Sequence, residues 1–235
     1  MIQTQVKDLF ETGAHFGYSR SRRHPSATAF IFATKDKSDI FDLEKTEKCL
    51  KKAEEFVAKV AESGKQVLFV AGKHEASKIV RDLAEKISAP HVSGRWIGGT
   101  LTNFKEIRKR IDRLERFRRE RDAGERDKYT KLERLMLDRE IEELERRFSG
   151  LEDMKELPAA LFVVDPRHEQ TAVNEAKQLG IPIVALANSD CDFKSIQYPI
   201  PANDSVVKSI SFFSSVIADS YDKNKKIPVS DVSEK

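Results

Sequence analysis

The sequence has few of the residues that covalent cross-links and metal clusters require. Its 235 residues include only two cysteines, Cys49 and Cys191, and neither belongs to a CxxC pair. That spacing excludes a zinc ribbon or a dithiol redox motif, and it indicates free thiols in a reducing compartment. Cys49 lies on the apolar stripe of a predicted helix, which favours a core residue over a catalytic one.

Long apolar runs are also missing. No stretch approaches the roughly 18 consecutive apolar residues that a membrane-spanning helix needs. The N-terminus has neither the apolar region of a secretory signal nor an Arg/Ser-rich leader. We therefore expect a cytoplasmic protein that makes no contact with a membrane.

Excess charge of one sign is absent, although the chain is rich in charge. It has 42 Lys and Arg residues against 39 Asp and Glu, so the formal net charge is only +3, while charged residues make up 34% of the chain. An average soluble protein has about 25%. Because the charges nearly cancel, any contact with nucleic acid must depend on where the cations are clustered.

Apolar runs that alternate with amphipathic segments predict an α/β fold. Residues 66–71 and 157–165 are expected to be strands buried on both faces, because their apolar runs are nearly continuous. Residues 157–187 form a strand–helix–strand unit, which implies parallel strands and a right-handed crossover. Residues 29–43 predict a β-hairpin.

Residues 105–148 are the most highly charged part of the chain. The first part, 105–121, has nine basic residues against four acidic ones. Apolar residues recur at coiled-coil spacing on two segments. They are Phe104, Ile107, Ile111 and Leu114 on the first, and Leu137, Ile141, Leu144 and Phe148 on the second. We predict an antiparallel helical hairpin whose first arm is the more basic.

Residues 95–104 join the α/β part to this hairpin. They contain the only tryptophan, Trp96, and the only adjacent glycines, Gly98 and Gly99. Asn103, followed three residues later by Glu106, predicts an N-cap with a capping box. We interpret the stretch as a loop that leaves the globular body and begins a long helix, with Trp96 anchoring it. An ordinary buried tryptophan beside a flexible turn is the alternative.

A short basic segment precedes the predicted β-hairpin. Arg20, Arg22 and Arg23 lie within four residues of one another, among serines. Guanidinium groups bind phosphate oxygens bidentately, and serine hydroxyls add neutral donors. The segment is therefore a candidate phosphate-contacting arm, and a solvated basic loop is the alternative.

Two patterns leave an enzymatic interpretation open. Gly72-Lys73 lies between a predicted strand and a helix, but it matches neither GxxxxGK[ST] nor GxGxxG, so it indicates a nucleotide site only weakly. Four polar residues follow predicted strands, where α/β sheets usually place their sites. They are Asp165, His168, Asp190 and Asp192. Helix capping and turn formation are the favoured roles for these four, because no fixed ligand pattern such as HExxH is present.

Several motifs follow one another along the chain in a distinctive order. They are His15-Phe16-Gly17, Phe30-Ile31-Phe32, Asp42-Leu43-Glu44-Lys45-Thr46, Arg95 through Phe104, Leu157-Pro158 with Ala160-Leu161-Phe162-Val163, and Gly180-Ile181-Pro182 through Pro199-Ile200-Pro201-Ala202-Asn203-Asp204. From about residue 5 to about residue 220, their order resembles that of the bacterial small-subunit ribosomal protein S2 family.

The resemblance implies a Rossmann-like or flavodoxin-like parallel-sheet domain, formed by residues 1–103 and 150–221. It implies a projecting coiled-coil hairpin at 104–149, and we expect a flexible tail at 222–235. It also implies a structural constituent of the small ribosomal subunit, which binds rRNA and neighbouring ribosomal proteins and supports translation and subunit assembly. Such a protein is not an enzyme and needs no cofactor or small-molecule substrate.

Three positions depart from the pattern of many relatives. This chain has Tyr18 where they have His, Asn188 where they have Asp, and Ser205 where they have an acid. A metal site near these positions would lack ligands in this chain, so we predict none.

Structural rRNA binders contact phosphates with Arg and Lys, and they read folded RNA mainly by its shape. We predict RNA contacts from the basic arm, the β-hairpin and the first arm of the helical hairpin: Arg20, Arg22, Arg23, Lys35, Arg95, Lys105, Arg108 and Lys109. Two alternatives remain, a nucleotide- or metal-dependent α/β enzyme and a coiled-coil adaptor that binds only protein.

Overall fold

A computed structural model describes residues 6–124 and 129–225. The α-helices in these ranges are α1 (Val6–Glu11), α2 (Leu43–Glu62), α3 (His74–Lys86), α4 (Phe104–Asp122), α5 (Lys131–Phe148), α6 (Gln170–Gln178) and α7 (Val207–Asn224). The strands are β1 (Phe16–Ser19), β2 (Ile31–Lys35), β3 (Ser38–Phe41), β4 (Val67–Val70), β5 (His91–Val92), β6 (Ala160–Val164), β7 (Ile183–Ala187) and β8 (Tyr198–Pro201).

Five strands form a parallel sheet in the order β5-β4-β6-β7-β8. This is the flavodoxin-like order, in which the direction of winding reverses between β4 and β6. Every residue of β4, β6 and β7 is buried, as their continuous apolar sequences require for strands covered on both faces. The predicted fold class is confirmed.

An apolar layer lies on each face of the sheet. Helices α2, α3 and α7 contribute buried side chains such as Leu50, Val80 and Phe213 to one layer. The other layer contains Trp96 and side chains of α6. It continues into the apolar contact between α4 and α5 that the coiled-coil spacing predicted. Ile107 and Phe148 belong to this same buried cluster, so the start of α4 and the end of α5 are packed onto the body.

A second, antiparallel sheet has the strand order β1-β3-β2. Asp36 and Lys37 connect β2 to β3 with φ angles of 48° and 64°, as a two-residue turn between twisted strands requires. The sequence predicted the β2–β3 hairpin but not β1, because β1 has only four residues and one of them is Gly17, a residue depleted in strands. Pairing with β3 makes this segment a strand.

The capping box predicted at Asn103 is wrong. Asn103 has φ −126° and ψ 43°, and its side chain makes no capping hydrogen bond. A capping box is found instead at the start of α5, where the Thr130 side chain and the Glu133 carboxylate cap each other's backbone N–H groups.

Helix α7 extends into the segment predicted to be a flexible tail. Tyr221 is only 2% exposed, and the Lys225 ammonium donates to the carbonyl oxygens of Ile87 and Ser88 at 3.0 and 3.1 Å. Burial of the tyrosine ring keeps the helix ordered to Asn224. The rest of the predicted tail, residues 226–235, lies outside the described residues.

Over the ranges that the structure describes, no helix combines the length and the apolar character needed to cross a membrane.

Candidate nucleic-acid interface

The eight predicted RNA contacts differ in how their charge is used within the protein. Four of them have no carboxylate within 4.0 Å among residues 6–124 and 129–225: Arg20, Lys35, Arg95 and Lys105. All four are exposed. The other four each have at least one carboxylate partner in the protein: Arg22, Arg23, Arg108 and Lys109.

The small sheet brings two of the unpaired cations together. The backbone N–H of Arg20 donates to the Lys37 carbonyl at 2.9 Å, and Lys35 pairs with Ser38 across the β2–β3 turn. Lys37 is also exposed and makes no ion pair with the described residues. We call Arg20, Lys35 and Lys37 the tip cluster. Asp36, also exposed, is the carboxylate in the turn itself, so the tip cluster keeps an excess of positive charge.

Arg22 and Arg167 converge on a single buried carboxylate. Their nearest guanidinium nitrogens lie 3.3 and 2.8 Å from Asp190 Oδ2, and the two arginine side chains are 55% and 56% exposed. Arg22 also stacks over the Tyr18 ring at 4.3 Å. A guanidinium has five N–H donors, so this shared carboxylate orients both groups and leaves donors free for an external anion.

A cleft of about 470 Å³ lies beside this pair. Asp190 follows β7 and Arg167 follows β6, so the cleft is at the carboxyl edge of the parallel sheet, where α/β folds place their ligands. Its charged lining residues include Arg22, Arg23, Arg167, Lys177, Asp190 and Asp192. The lining is therefore more basic than acidic.

Arg23 and Arg108 are built into the fold. Arg23 Nε lies 3.4 Å from Asp39 Oδ2, with side chains that are 16% and 0% exposed. Arg108 contacts Asp112 and Glu115 at 2.9 and 3.0 Å, and it donates to the Glu152 carbonyl at 2.7 Å. These contacts tie the basic arm to the small sheet and α4 to the segment that follows α5.

Arg95 lies in a second basic group. It lines a narrow polar recess with Arg146 and Arg147, from the end of α5, and with His91. Burial lowers the pKa of His91, which favours its neutral form. The positive charge of the recess therefore comes from the arginines.

The loop that carries Arg95 is held by one buried carboxylate, Glu175 of α6. Its Oε1 accepts from Trp96 Nε1 at 3.0 Å and from the Gly99 N–H at 2.8 Å. Its Oε2 accepts from the N–H groups of Leu101 and Thr102 and from the Thr102 hydroxyl at 3.0–3.1 Å. Trp96 is 7% exposed, and its role as an anchor of this loop is confirmed.

The pKa of Glu175 lies below its ordinary value. Burial alone would raise it, but the hydrogen bonds from Trp96, Thr102, Gly99 and Leu101 favour the carboxylate and outweigh burial. Glu175 therefore stays charged, and it satisfies the N–H groups that precede α4.

The Gly72-Lys73 turn is occupied by the protein's own side chains. The Gly72 N–H donates to Glu169 Oε1 at 3.0 Å, and His168 Nδ1 lies 2.6 Å from the same oxygen. An anion that approached this N–H would meet a carboxylate. The geometry does not support a nucleotide phosphate site here.

Lys73 is the centre of a buried polar cluster. Its ammonium lies 3.2 Å from Asp165 Oδ2 and 3.4 Å from Asp204 Oδ1, and it donates to the Ser205 and Tyr18 hydroxyls at 3.2 and 3.4 Å. Burial would lower the pKa of Lys73, but the Asp204 and Asp165 carboxylates outweigh it and raise that pKa. Burial and the Asp165 carboxylate raise the pKa of Asp204 to about 6.

The sequence of this chain is similar to that of a known protein family. Residues 9–224 match the family model described as Ribosomal protein S2. The chain belongs to the ribosomal protein S2 family.

Individual relatives support the same assignment. Proteins named Small ribosomal subunit protein uS2 from Borrelia hermsii, Coprothermobacter proteolyticus and Chloroherpeton thalassium are 38%, 42% and 44% identical to this chain. Each alignment covers 93% of this chain, and 86%, 82% and 88% of the respective relatives. The resemblance found in the motifs is confirmed.

The three positions at which the sequence departs from the pattern of the S2 family meet around Lys73. The Tyr18 hydroxyl lies 2.8 Å from Ser205 Oγ, and Asn188 Nδ2 donates to Asp204 Oδ1 at 2.8 Å. Within residues 6–124 and 129–225, no group of three or more His, Cys, Asp and Glu side chains is placed to hold a metal ion. In this chain a lysine supplies the positive charge that faces the two aspartates.

The other polar residues that follow strands take structural roles. Asp165 Oδ1 accepts from the His168 N–H at 3.0 Å, and Asp192 Oδ1 accepts from the Lys194 N–H at 3.0 Å. These are the capping and turn contacts that the sequence favoured over a metal or acid–base site.

Sequence reasoning missed three cations of the interface and its main support. Lys37 lies two positions from Lys35, so clustering on the chain was the available signal for it. Arg167 has no nearby basic cluster to mark it. Arg146 lies in the mixed-charge arm, where composition does not mark it. Glu175 occupies a predicted amphipathic helix, and no local signal distinguishes it from a surface glutamate.

Proposed function

We propose that this chain is a structural constituent of the small ribosomal subunit, which binds rRNA and neighbouring ribosomal proteins and supports translation and subunit assembly. The relatives' name, Small ribosomal subunit protein uS2, supports the role in the subunit. In this proposal the protein acts on the ribosome as a binding component, without catalysis, cofactor or small-molecule substrate.

The tip cluster is the observation that carries the RNA-binding part of this proposal. A cation without an internal carboxylate binds phosphate at no cost to the fold, and it releases a condensed counterion from the RNA. A cation already in an ion pair must share or lose its partner first. Arg20, Lys35 and Lys37 are exposed, lie close together and meet the first condition.

We assign the direct contacts to RNA by whether each cation already has a carboxylate partner in the protein. The unpaired members of the predicted set are the main candidates, and Lys37, Arg22 and Arg167 join them. Arg23, Arg108 and Lys109 make a smaller contribution, because carboxylates of the protein already neutralise much of their charge.

The second arm of the hairpin, within residues 104–149, is the candidate surface for a neighbouring ribosomal protein. Leu132, Leu135 and Met136 of α5 are 63%, 46% and 62% exposed. Their spacing places them on one face of the helix, where they form an apolar patch that a protein partner covers more readily than RNA does.

Removing the tip cluster is expected to weaken rRNA binding. For the triple variant Arg20→Ala/Lys35→Ala/Lys37→Ala, the slope of log affinity against log salt should become shallower by about 2 to 3, since about 0.7–0.9 counterions are released per phosphate contact. Affinity at physiological salt should fall by about tenfold or more. The measurement is filter binding of the full chain to a small-subunit rRNA transcript over a salt series.

A charge-matched variant provides the control. Lys51→Ala/Arg116→Ala/Arg119→Ala also removes three cations, but each of these has a carboxylate partner one helical turn away. It should bind rRNA nearly as well as the wild-type protein. Equal losses in the two triple variants would show that net charge matters and not the tip cluster. Unchanged binding in both would contradict the proposed interface.

The two alternative functions predict different results. A protein-binding adaptor would show no salt-dependent affinity for the rRNA transcript in any variant. A nucleotide-dependent enzyme would be stabilised by nucleotide, measured as a ligand-dependent rise in Tm. The Glu169 carboxylate at the Gly72 N–H makes that rise unexpected.

A further inference from the structure

Phe32 is the most exposed large apolar side chain among the described residues. It is 77% exposed and lies in β2, an edge strand of the small sheet. An exposed aromatic ring at a sheet edge contributes nothing to the core and favours association with other molecules. Phe32 is therefore a candidate contact residue.

A β-bulge positions this residue. Ile31 pairs with Phe41 and Ala33 pairs with Ile40, so β2 uses one more residue than β3 over this interval. Phe32 is the extra residue. Bulges redirect a side chain out of the regular alternation, and here the result is an aromatic ring that points away from the protein.

The part of β2 that follows Phe32 has no large apolar side chain and ends in a cation. The residues after it in β2 are Ala33, Thr34 and Lys35, all exposed. Lys35 follows by three positions, about 10 Å along an extended strand, and it belongs to the tip cluster. A protein partner would be expected to need more apolar surface around the ring, whereas these cations are complementary to phosphates.

We propose that Phe32 stacks on an unpaired base of an RNA segment whose phosphates lie on the tip cluster. This inference rests on the proposed function and assigns the aromatic part of the same interface. Every base has an apolar face, so stacking on one phenylalanine tolerates different sequences but requires that the base be out of a duplex. The interface would then recognise single-stranded or bulged RNA in preference to continuous duplex.

The test compares three full-length proteins, the wild type, Phe32→Ala and Phe32→Trp, with two RNA probes. The probes are a single-stranded oligoadenylate and a blunt RNA duplex of the same length, titrated at low ionic strength. Phe32→Ala should lose about 5- to 150-fold in affinity for oligoadenylate, the range found for loss of one aromatic stacking partner. Its affinity for the duplex should change little, and its salt dependence should keep the wild-type slope.

Phe32→Trp is the matched aromatic variant. It should keep the affinity for oligoadenylate, and the new indole fluorescence should be quenched on binding. The only native tryptophan, Trp96, is buried, so it adds a constant background. If Phe32→Ala binds oligoadenylate as well as the wild type does, the stacking role is wrong. The same result is expected if Phe32 contacts a protein instead of RNA.

The proposed function can be tested apart from this inference. If Phe32→Ala is unchanged while the tip-cluster variant still loses affinity for rRNA, only the stacking role fails. If the wild-type protein binds neither the oligoadenylate nor the rRNA transcript, the proposed RNA-binding function fails and the stacking role fails with it.

Discussion

Glu175→Ala is expected to lower the free energy of unfolding by about 3–5 kcal/mol at neutral pH. The substitution removes both oxygens that accept from Trp96, Gly99, Leu101 and Thr102. Two of these donor residues, Trp96 and Leu101, are buried, so water cannot fully replace the carboxylate. The measurement is urea denaturation followed by far-ultraviolet circular dichroism.

Two further variants separate this effect from a general loss of charge. Glu175→Gln keeps the shape but presents an NH₂ group to one set of donors, so an intermediate loss is expected. Glu62→Ala removes an exposed carboxylate at the end of α2 and should change stability by less than about 0.5 kcal/mol. If Glu175→Ala matched Glu62→Ala, the loop would have to be held by other contacts.

The pKa of Glu175 fixes the sign of the pH dependence. Because it is lowered in the folded state from the ordinary value of 4.5, the stabilisation is fully present above that value and is lost as pH falls through the folded pKa. Glu175→Gln has no such group. The stability difference between the wild type and Glu175→Gln should therefore shrink in acid, and a difference that stayed constant would argue against a charged acceptor.

Glu175 also shows why the sequence predicts some features and not others. Continuous apolar runs identified β4 and β6, and the three–four spacing identified the seam of α4 and α5, because these signals repeat within a few residues. The partners of Glu175 are 73 to 79 positions away along the chain. No local pattern marks such a pairing, so the sequence does not predict it.

In the candidate interface, too, the sequence predicts features that are local on the chain and not those that depend on distant contacts. Clustering on the chain singled out Arg20, Arg22 and Arg23, and Lys35 was predicted separately on the β-hairpin. The fold brings Arg20 close to the turn that follows Lys35. The sequence predicts that a cation is neutralised by a carboxylate only when the two residues are one or two turns apart on a helix. Arg108 with Asp112 is such a pair. The pair of Arg22 with Asp190 spans 168 positions and depends on the complete fold.

Lys73→Met is expected to reduce stability by about 3–5 kcal/mol at neutral pH, the usual cost of removing one partner from a buried ion pair. The Asp204 side chain is fully buried and that of Asp165 is 12% exposed. Without the ammonium, two buried carboxylates would face each other. The matched control is Lys78→Met on α3, which removes an exposed lysine and should be nearly neutral.

This loss should also shrink in acid, although the pKa of the carboxyl group concerned, Asp204, is shifted in the direction opposite to that of Glu175. The pKa of Asp204 is raised in the folded state from 3.8 to about 6, so protonation between these values favours the folded protein. In Lys73→Met the carboxylate lacks its cation and takes up a proton at still higher pH. The stability gap to the wild type should therefore narrow as pH falls towards about 6, and it should level off below that value, where Asp204 is protonated in both proteins. The double variant Lys73→Met/Asp204→Asn should recover part of the loss at neutral pH, because the amide removes the uncompensated charge. The charge explanation would be wrong if the stability gap kept the same size from neutral to acid pH and the double variant showed no recovery. Lost packing around the Lys73 side chain would then account for the destabilisation.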